Sequence, residues 1–251
     1  MIVQAPLALV TGGCRRLGAA IAARLAQAGY DLALHGSHDA EPEAALIDVV
    51  AAAGRTWRGF VGDFARPAVA PDLFGQVAAA FGRAPDLLVN AASVFGQDRL
   101  DDVEEEDLAL AYSVNCTAPV LLTRAFAAAR RAGDAVNRSV VNILDQRIAH
   151  PHRDQLAYTL AKLGLAGLTR IGAPGVRVNG VAPGLTLPTG DYGEAQMAAL
   201  TSHMPLRRLP TPADIAEAVL FCARTPGLDR QTIFVDGGAH LVPFERDFVH
   251  L

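Results

Sequence analysis

The segment LDQRIAHPHRDQLAYTLAK, residues 144–162, places a tyrosine and a lysine, Tyr158 and Lys162, four positions apart. On a helix, residues at this spacing project from the same face, so we expect the ammonium to lie beside the phenol. A phenol has a pKa near ~10, and a neighbouring cation favours the phenolate and lowers that pKa. The pair is therefore a candidate for delivering a proton to a substrate.

Asp145 precedes Tyr158 in the same segment and adds a carboxylate to this pair. An ionised carboxylate only accepts hydrogen bonds, so it repels a carbonyl oxygen and suits a substrate that presents N–H groups. His150 and His152 lie between the two residues. Without a third ligand nearby, this histidine pair indicates a loop or an interface, and we predict no metal site.

A glycine-rich stretch, TGGCRRLG at residues 11–18, lies between the first predicted strand and the first predicted helix. Such a turn lets the backbone approach a pyrophosphate at a helix N-terminus, although tight turns use glycine anyway. Two arginines in the turn favour NADP(H), because a 2′-phosphate binds guanidinium groups. The tip of the second strand also lacks the acidic residue that an NAD site would use. The candidate cofactor residues here are Gly12, Arg15, Arg16, Leu17, Gly18, His35 and Ser37.

Further candidate cofactor residues follow the third and fourth predicted strands. Asp63, next to Phe64, is placed to face an adenine or, equally, to form a turn. Asn90 and Ala91 open the NAAS motif at the carboxyl end of the fourth strand, where open sheets bind ligands.

Short apolar runs alternate with helical patterns along the whole chain, which predicts an α/β fold with a parallel sheet and helices on both faces. Seven strands are predicted, within one domain over 1–251. A helix is predicted over 104–131, with Pro119 tolerated inside it. The weakly periodic stretch 184–210 is predicted to be a substrate loop or, alternatively, a surface excursion.

Composition limits the function classes. The 251 residues are 51% hydrophobic and 19% charged, with a net charge of -4, which argues against nucleic acid as the main partner. No signal peptide or membrane-spanning run is predicted, and the three cysteines have no metal-type spacing. We therefore expect a cytoplasmic protein that acts on a small molecule.

Six motifs occur in order along nearly the whole chain: TGG…LG, NAAS, VNCTAP, YTLAK, VRVNGVAPG and TIFVDGG. Together they resemble the short-chain dehydrogenase/reductase family. The resemblance implies a single Rossmann-type, doubly wound domain that uses NAD(P)(H), with Tyr158 as proton donor. It also implies that Lys162 holds the nicotinamide ribose, that Asn115 supports a proton-relay water, and that Pro183 and Gly184 shape the nicotinamide pocket.

The family usually has serine where this chain has Asp145. One branch, the pteridine reductases and alternative dihydrofolate reductases, is similar in carrying aspartate there, an RRLG-type turn and an aromatic residue after the fourth strand. This likeness implies that Phe95 stacks on a pterin, that Arg16 contacts both cofactor and substrate, and that Ser93 lines the site. We therefore predict an NADPH-dependent reductase of a C=N bond in a pterin or dihydrofolate.

Two alternatives stay open at this point: an NADP-dependent ketone or 3-oxoacyl reductase, and a non-catalytic NADP(H)-binding regulatory protein. The family also implies a homotetramer or homodimer, although the segment GLTRIGAPGVRVN is shorter than the helix that usually contributes to the contact. The segment HLVPFERDFVHL is predicted to pack on a neighbouring subunit or near the mouth of a pocket.

Overall fold

The computed structural model describes residues 4–129, 138–187 and 194–250. Seven parallel strands form one sheet, and helices cover both of its faces. The strands are β1 Leu7–Thr11, β2 Asp31–Gly36, β3 Trp57–Val61, β4 Leu87–Asn90, β5 Ser139–Ile143, β6 Arg177–Pro183 and β7 Thr232–Val235. The helices are α1 Arg16–Gln27, α2 Ala44–Ala52, α3 Val69–Phe81, α4 Glu105–Tyr112, α5 Ala118–Ala128, α6 Leu156–Ile171, α7 Glu194–His203 and α8 Pro212–Arg224.

The sheet is buried on both faces, which explains why its central strands are apolar throughout. In β1, Ala8 and Val10 pack toward the layer that contains α1, α2 and α8. The alternate side chains, Leu7 and Leu9, pack toward the layer of α3 and α5. Successive strand residues point to opposite faces, so a strand between two helical layers needs apolar residues at every position.

The strand order is β3-β2-β1-β4-β5-β6-β7, with every pair parallel. The connection reverses direction at β1, which lies between β2 and β4. In open sheets of this kind, ligands bind beyond the carboxyl ends of the strands at this reversal. The predicted seven-stranded, doubly wound fold is confirmed, and the reversal positions the candidate site.

Two predicted elements were wrong in detail. The helix predicted over 104–131 is divided by a π-helical turn, Ser113–Thr117, and its predicted end falls partly outside the described residues. Pro119 stands at the start of α5, where its missing N–H costs little. The predicted loop over 184–210 contains α7, while positions 188–193 lie outside the described residues. No described helix is long and apolar enough to cross a membrane.

Candidate active site

The glycine-rich turn joins β1 to α1 with almost no free space. Gly12 has a φ of +62°, and a Cβ at Gly18 would overlap the carbonyl oxygen of Gly12. Thr11 ties the turn to the end of β4, because its Oγ1 accepts from the N–H groups of Ala91 at 2.9 Å and Ala92 at 3.0 Å. The turn therefore presents backbone rather than side chains at the N-terminus of α1, as a phosphate-binding turn must, and Glu43 Oε1 accepts from the Arg16 N–H there at 3.2 Å.

His35 and Phe64 pack against each other outside the cavity lining. The His35 side chain is buried, its Nδ1 accepts from the Gly12 N–H at 3.2 Å, and its Nε2 lies 2.7 Å from the Gly62 carbonyl oxygen. Phe64 stacks on the imidazole with 4.1 Å between ring centroids. The His35 side chain thus supports the glycine-rich turn, and the predicted contacts of both residues with the cofactor stay predictions.

The charged residues of the cofactor end are arranged differently from the prediction. Arg15 pairs with Asp39 at 2.6 Å, so the loop after β2 brings a carboxylate to the turn. Ser37 is exposed, and its Oγ lies 2.9 Å from His38 Nδ1. Asp63 accepts from the Ala65 N–H at 3.0 Å, which is the turn-forming role, and its contact with an adenine stays a prediction.

A cavity of about 560 Å³ opens beyond the carboxyl ends of the strands. It runs from the glycine-rich turn to α6, and most of the predicted residues line it. Those it brings together are Gly12, Arg15, Arg16, Leu17, Gly18, Ala91, Ser93, Phe95, Asp145, Tyr158, Lys162, Pro183 and Gly184. The predicted residues outside this lining are His35, Ser37, Asp63, Phe64, Asn90 and Asn115.

Asp145 and Tyr158 meet in the cavity. Asp145 follows β5, Tyr158 lies in the first turn of α6, and the phenol hydroxyl donates to Asp145 Oδ2 at 3.0 Å. Burial, and then the Asp145 carboxylate, raises the pKa of Tyr158 well above its usual value. The phenol therefore stays protonated at neutral pH and holds a proton beside the cavity.

Lys162 lies beside the tyrosine. Its Nζ donates to the Ile143 carbonyl oxygen at 2.8 Å and lies 5.4 Å from the centroid of the Tyr158 ring. Burial lowers the pKa of Lys162 to about 8, with the Asp145 carboxylate acting in the opposite direction. Burial and Asp145 together raise the pKa of Tyr158, so the lowering predicted from Lys162 does not set its net shift.

Asn115 lies in the π-helical turn and is fully buried. Its Nδ2 donates to the carbonyl oxygens of Val94 at 2.8 Å and Ala111 at 3.0 Å, and its Oδ1 accepts from the Ser93 hydroxyl at 2.7 Å. The amide is thus satisfied by protein groups and holds Ser93, which lines the cavity in its place. The predicted role in supporting a water stays a prediction.

Two other predicted residues flank the cavity. The Phe95 ring is 53% exposed and meets Tyr158 edge to face, with 6.0 Å between centroids, so one face is open to a planar ligand. Asn90 is buried within β4 and donates to Asn142 Oδ1 at 2.8 Å. The Oδ1 of Asn90 has no hydrogen-bond partner among the described residues.

Sequence reasoning missed Arg147 and Asp247, which both line the cavity. Arg147 bonds Asp145 through its backbone N–H at 2.9 Å and its Nε at 3.2 Å, and it bonds Asp247 at 2.9 Å. The Asp-x-Arg spacing at residues 145–147 is a local signal that could have indicated the first pair. Asp247 is 100 positions from Arg147, and its contact has no sequence signal.

The cavity fits a dinucleotide at one end. The glycine-rich turn leaves no space for side chains, α1 has no acidic residue in its first turn, and Arg15 and Arg16 stand beside it. These features suit phosphate groups. Within the described residues, no group of three or more His, Cys, Asp or Glu side chains is arranged to hold a metal ion.

Comparison with known proteins gives a consistent family. A family model described as enoyl-(acyl carrier protein) reductase matches residues 13–240. An uncharacterized oxidoreductase of Mycobacterium tuberculosis is 36% identical, covering 92% of this chain and 91% of the relative. Carbonyl reductase family member 4 of Danio rerio is 30% identical over 94% and 98% of the two chains. Pteridine reductase 1 of Leishmania tarentolae is also 30% identical, over 94% and 97%.

Among solved structures, the chain is similar to FolM alternative dihydrofolate reductase 1 from Brucella canis, which was crystallised with NADP. The TM-score is 0.85 at 30% identity, and the match covers 96% of each chain. The likeness therefore extends over nearly the whole fold.

Proposed function

This chain belongs to the short-chain dehydrogenase/reductase family, and we propose that it uses NADPH to reduce a C=N bond of a pterin or of dihydrofolate. The coarser statement, an NADP-dependent oxidoreductase, rests on the family and on the NADP-bound structure it resembles. The finer proposal is carried by one observation, the carboxylate of Asp145 held 3.0 Å from the Tyr158 hydroxyl.

Asp145 supports this substrate class by its charge and its hydrogen bonds. Its Oδ1 accepts from the backbone N–H and the Nε of Arg147, which keeps the carboxylate an acceptor. A carboxylate attracts the N–H groups of a pterin ring and repels the oxygen of a ketone. The exposed face of Phe95 offers a flat apolar surface beside Tyr158, which suits a planar heterocycle.

Each residue at the cavity has its own role in the proposed reduction. NADPH, when bound, supplies the hydride. Tyr158 holds the proton that the substrate nitrogen needs, because burial keeps its phenol neutral. Lys162 gives one N–H to Ile143 and retains two donors for a ribose. The Arg147 guanidinium, 5.1 Å from the Tyr158 ring centroid, offsets the negative charge left on the phenol.

A ketone or 3-oxoacyl reductase is the second candidate, and Ser93 favours it. The Ser93 hydroxyl lines the cavity and donates to Asn115 Oδ1 at 2.7 Å. A hydroxyl turned from Asn115 into the cavity can donate to a carbonyl oxygen, which Asp145 cannot do. A non-catalytic NADP(H)-binding protein is the third candidate, and it requires no proton donor in the cavity.

We also propose that the protein assembles as a homodimer or homotetramer. Leu110 and Tyr112 on α4, and Leu160 and Leu163 on α6, are each 36–45% exposed, and the two helices pack on each other. Exposed apolar side chains on neighbouring helices are typical of contact surfaces. A cytoplasmic location stays a prediction from the sequence.

The deciding experiment measures NADPH oxidation by the purified protein with dihydrobiopterin, dihydrofolate, a 3-oxoacyl thioester and simple ketones. We expect turnover with a pterin or dihydrofolate, and a loss of roughly 10²-fold or more in Tyr158→Phe. Tyr112→Phe, at an exposed tyrosine of α4, is the matched control and should keep the wild-type rate.

Asp145→Ser separates the two reductase candidates. The serine hydroxyl can donate to a carbonyl oxygen, so the variant should lose pterin reduction and gain ketone reduction. Wild-type activity on ketones alone would contradict the pterin proposal. NADPH binding without turnover on any substrate would favour the regulatory protein.

A further inference from the structure

The segment 244–248, here called the tail segment, closes the cavity at its chemical end. Asp247 and Phe248 line the cavity and are 5% and 6% exposed. Phe248 packs with Leu200 of α7 and with Met204, which follows that helix, and it meets Phe244 edge to face with 5.1 Å between centroids. This placement agrees with the prediction that this part of the chain packs near the mouth of a pocket.

The tail segment is anchored by contacts that do not involve the Asp247 side chain. The buried carboxylate of Asp154 accepts from the Asp247 backbone N–H at 2.9 Å, from Arg246 Nε at 2.7 Å and from Arg99 Nε at 3.1 Å. Burial raises the pKa of Asp154, but the hydrogen bonds from Arg246 and Asp247 outweigh it and lower the value to about 2. The backbone of Asp247 is therefore fixed at the cavity by Asp154.

The Asp247 carboxylate meets the guanidinium of Arg147. Asp247 Oδ2 accepts from Arg147 Nη2 at 2.9 Å, and both side chains are more than 90% buried. The Nη1 of Arg147 lies 3.5 Å from Thr159 Oγ1, and Nε faces Asp145 Oδ1 at 3.2 Å. The fork of the guanidinium is thereby divided between two carboxylates, one on the tail segment and one in the active site.

We propose that Asp247 is a positioning residue for the reduction: by holding the outer end of Arg147, it leaves Asp145 Oδ2 to Tyr158 and the substrate. The inference deepens the proposed function and rests on it for the role of Asp145.

The physical reason is the geometry of arginine and carboxylate pairs. A free guanidinium binds a carboxylate through two parallel N–H groups, which would occupy both oxygens of Asp145. In the structure Arg147 reaches only Oδ1 of Asp145, and Oδ2 accepts from the Tyr158 hydroxyl at 3.0 Å. Removing the Asp247 charge releases the guanidinium to rotate onto Oδ2 and to displace the phenol.

The side chain of His152 is a further titratable group close to the Asp247 carboxylate. Its Nε2 lies 4.0 Å from Asp247 Oδ2, and its side chain is 3% exposed. Burial, and then Arg147, lowers the pKa of His152, so the imidazole is neutral at pH 7 and leaves the Asp247 charge to Arg147. Of the nearby carboxylates, Asp145 pairs with the same Arg147, and Asp154 pairs with Arg99 and Arg246.

The test compares Asp247→Asn and Asp247→Glu with Glu245→Gln, which removes an exposed carboxylate from the same tail segment. For Asp247→Asn we expect kcat/KM to fall roughly tenfold to a hundredfold, with the NADPH dissociation constant unchanged. The basic limb of the pH profile should move to lower pH, because Arg147 then offsets the phenolate more fully. Asp247→Glu should recover part of the rate, and Glu245→Gln should match the wild type.

A double variant keeps the test valid if Asp247→Asn does not fold. Arg147→Met combined with Asp247→Leu removes both buried charges at similar volume, so it should fold. With no guanidinium left to move onto Asp145 Oδ2, this double variant should match the rate of Arg147→Met alone. The inference is overturned if Asp247→Asn keeps the wild-type rate and pH profile, if it loses NADPH affinity and thermal stability together with the rate, or if Asp247→Leu lowers the rate further in the Arg147→Met background. A wild type that reduces only ketones overturns the pterin proposal, and Asp247 is then judged by the same rate ratio on the ketone.

Discussion

Among single residues, Lys162 has the clearest energetic consequence. It is buried beside Tyr158, and burial lowers its pKa from 10.5 to about 8. Between these two values the unfolded chain binds a proton that the folded chain lacks, so the free energy of unfolding rises with pH. Below pH 8 the cost of burying the cation is complete, at about 3 kcal/mol.

We predict that the stability of the wild type relative to Lys162→Met rises between pH 8 and pH 10, by up to about 3 kcal/mol. Methionine carries no charge, so its contribution does not change over this range. Urea unfolding of both proteins at several pH values, without cofactor, measures the difference. Parallel stability curves over this range would show that burying the Lys162 cation does not destabilise the folded protein.

Functional residues could be predicted where their signal lies within a short stretch of the sequence. Tyr158 and Lys162 were found because helical spacing puts them on one face, and Asp145 because its type is unusual for the family. Arg147 and Asp247 were missed because their contact spans 100 positions. The support that His35 gives to the glycine-rich turn was not predicted, because a strand-end side chain can face the ligand or neighbouring backbone, and the sequence does not distinguish the two.

At the scale of elements, the turn between β1 and α1 depends on close backbone contact. Gly18 lies in the first turn of α1, and an added Cβ would overlap the carbonyl oxygen of Gly12. Gly75, inside α3, has no neighbour within 4 Å of the corresponding position. The two helical glycines therefore have opposite roles, although neither has a left-handed backbone.

We predict that Gly18→Ala weakens NADPH binding more than tenfold and destabilises the protein by about 1–3 kcal/mol, because the turn must open. Gly75→Ala should bind NADPH normally and gain about 0.5–1 kcal/mol from helix propensity. Cofactor fluorescence and thermal unfolding measure the two effects. Normal NADPH affinity in Gly18→Ala would mean that the turn does not hold the cofactor.

The strands were predictable because a parallel sheet between two helical layers requires unbroken apolar runs. The division of the helix over 104–131 was not, because the turn at Ser113–Thr117 depends on tertiary contacts. Asn115 within it bonds Val94, which belongs to the segment after β4. The same turn brings Ser93 into the cavity wall, so a local deviation from the α-helix serves the site.

At the scale of the whole molecule, the proposed assembly depends on the apolar side chains of α4 and α6. We predict that Leu160→Glu with Leu163→Glu lowers the molar mass measured by light scattering, because the new carboxylates on α6 would have to be buried in the contact without partners. Leu100→Glu, at a side chain that is 83% exposed and outside these helices, is the control. A wild type of 26.3 kDa in solution would be a monomer and would contradict the proposal.

The contact between Arg147 and Asp247 also has a consequence for folding order. At the glycine-rich turn, Thr11 joins Ala91 and Ala92 across 80 and 81 positions, and at the proton-donating end Arg147 joins Asp247 across 100. Contacts of long sequence separation form slowly because a large loop must close first, but this cost grows only slowly with loop length. The two ends of the cavity should therefore form at comparable rates, and a refolding chain should gain cofactor binding and activity together.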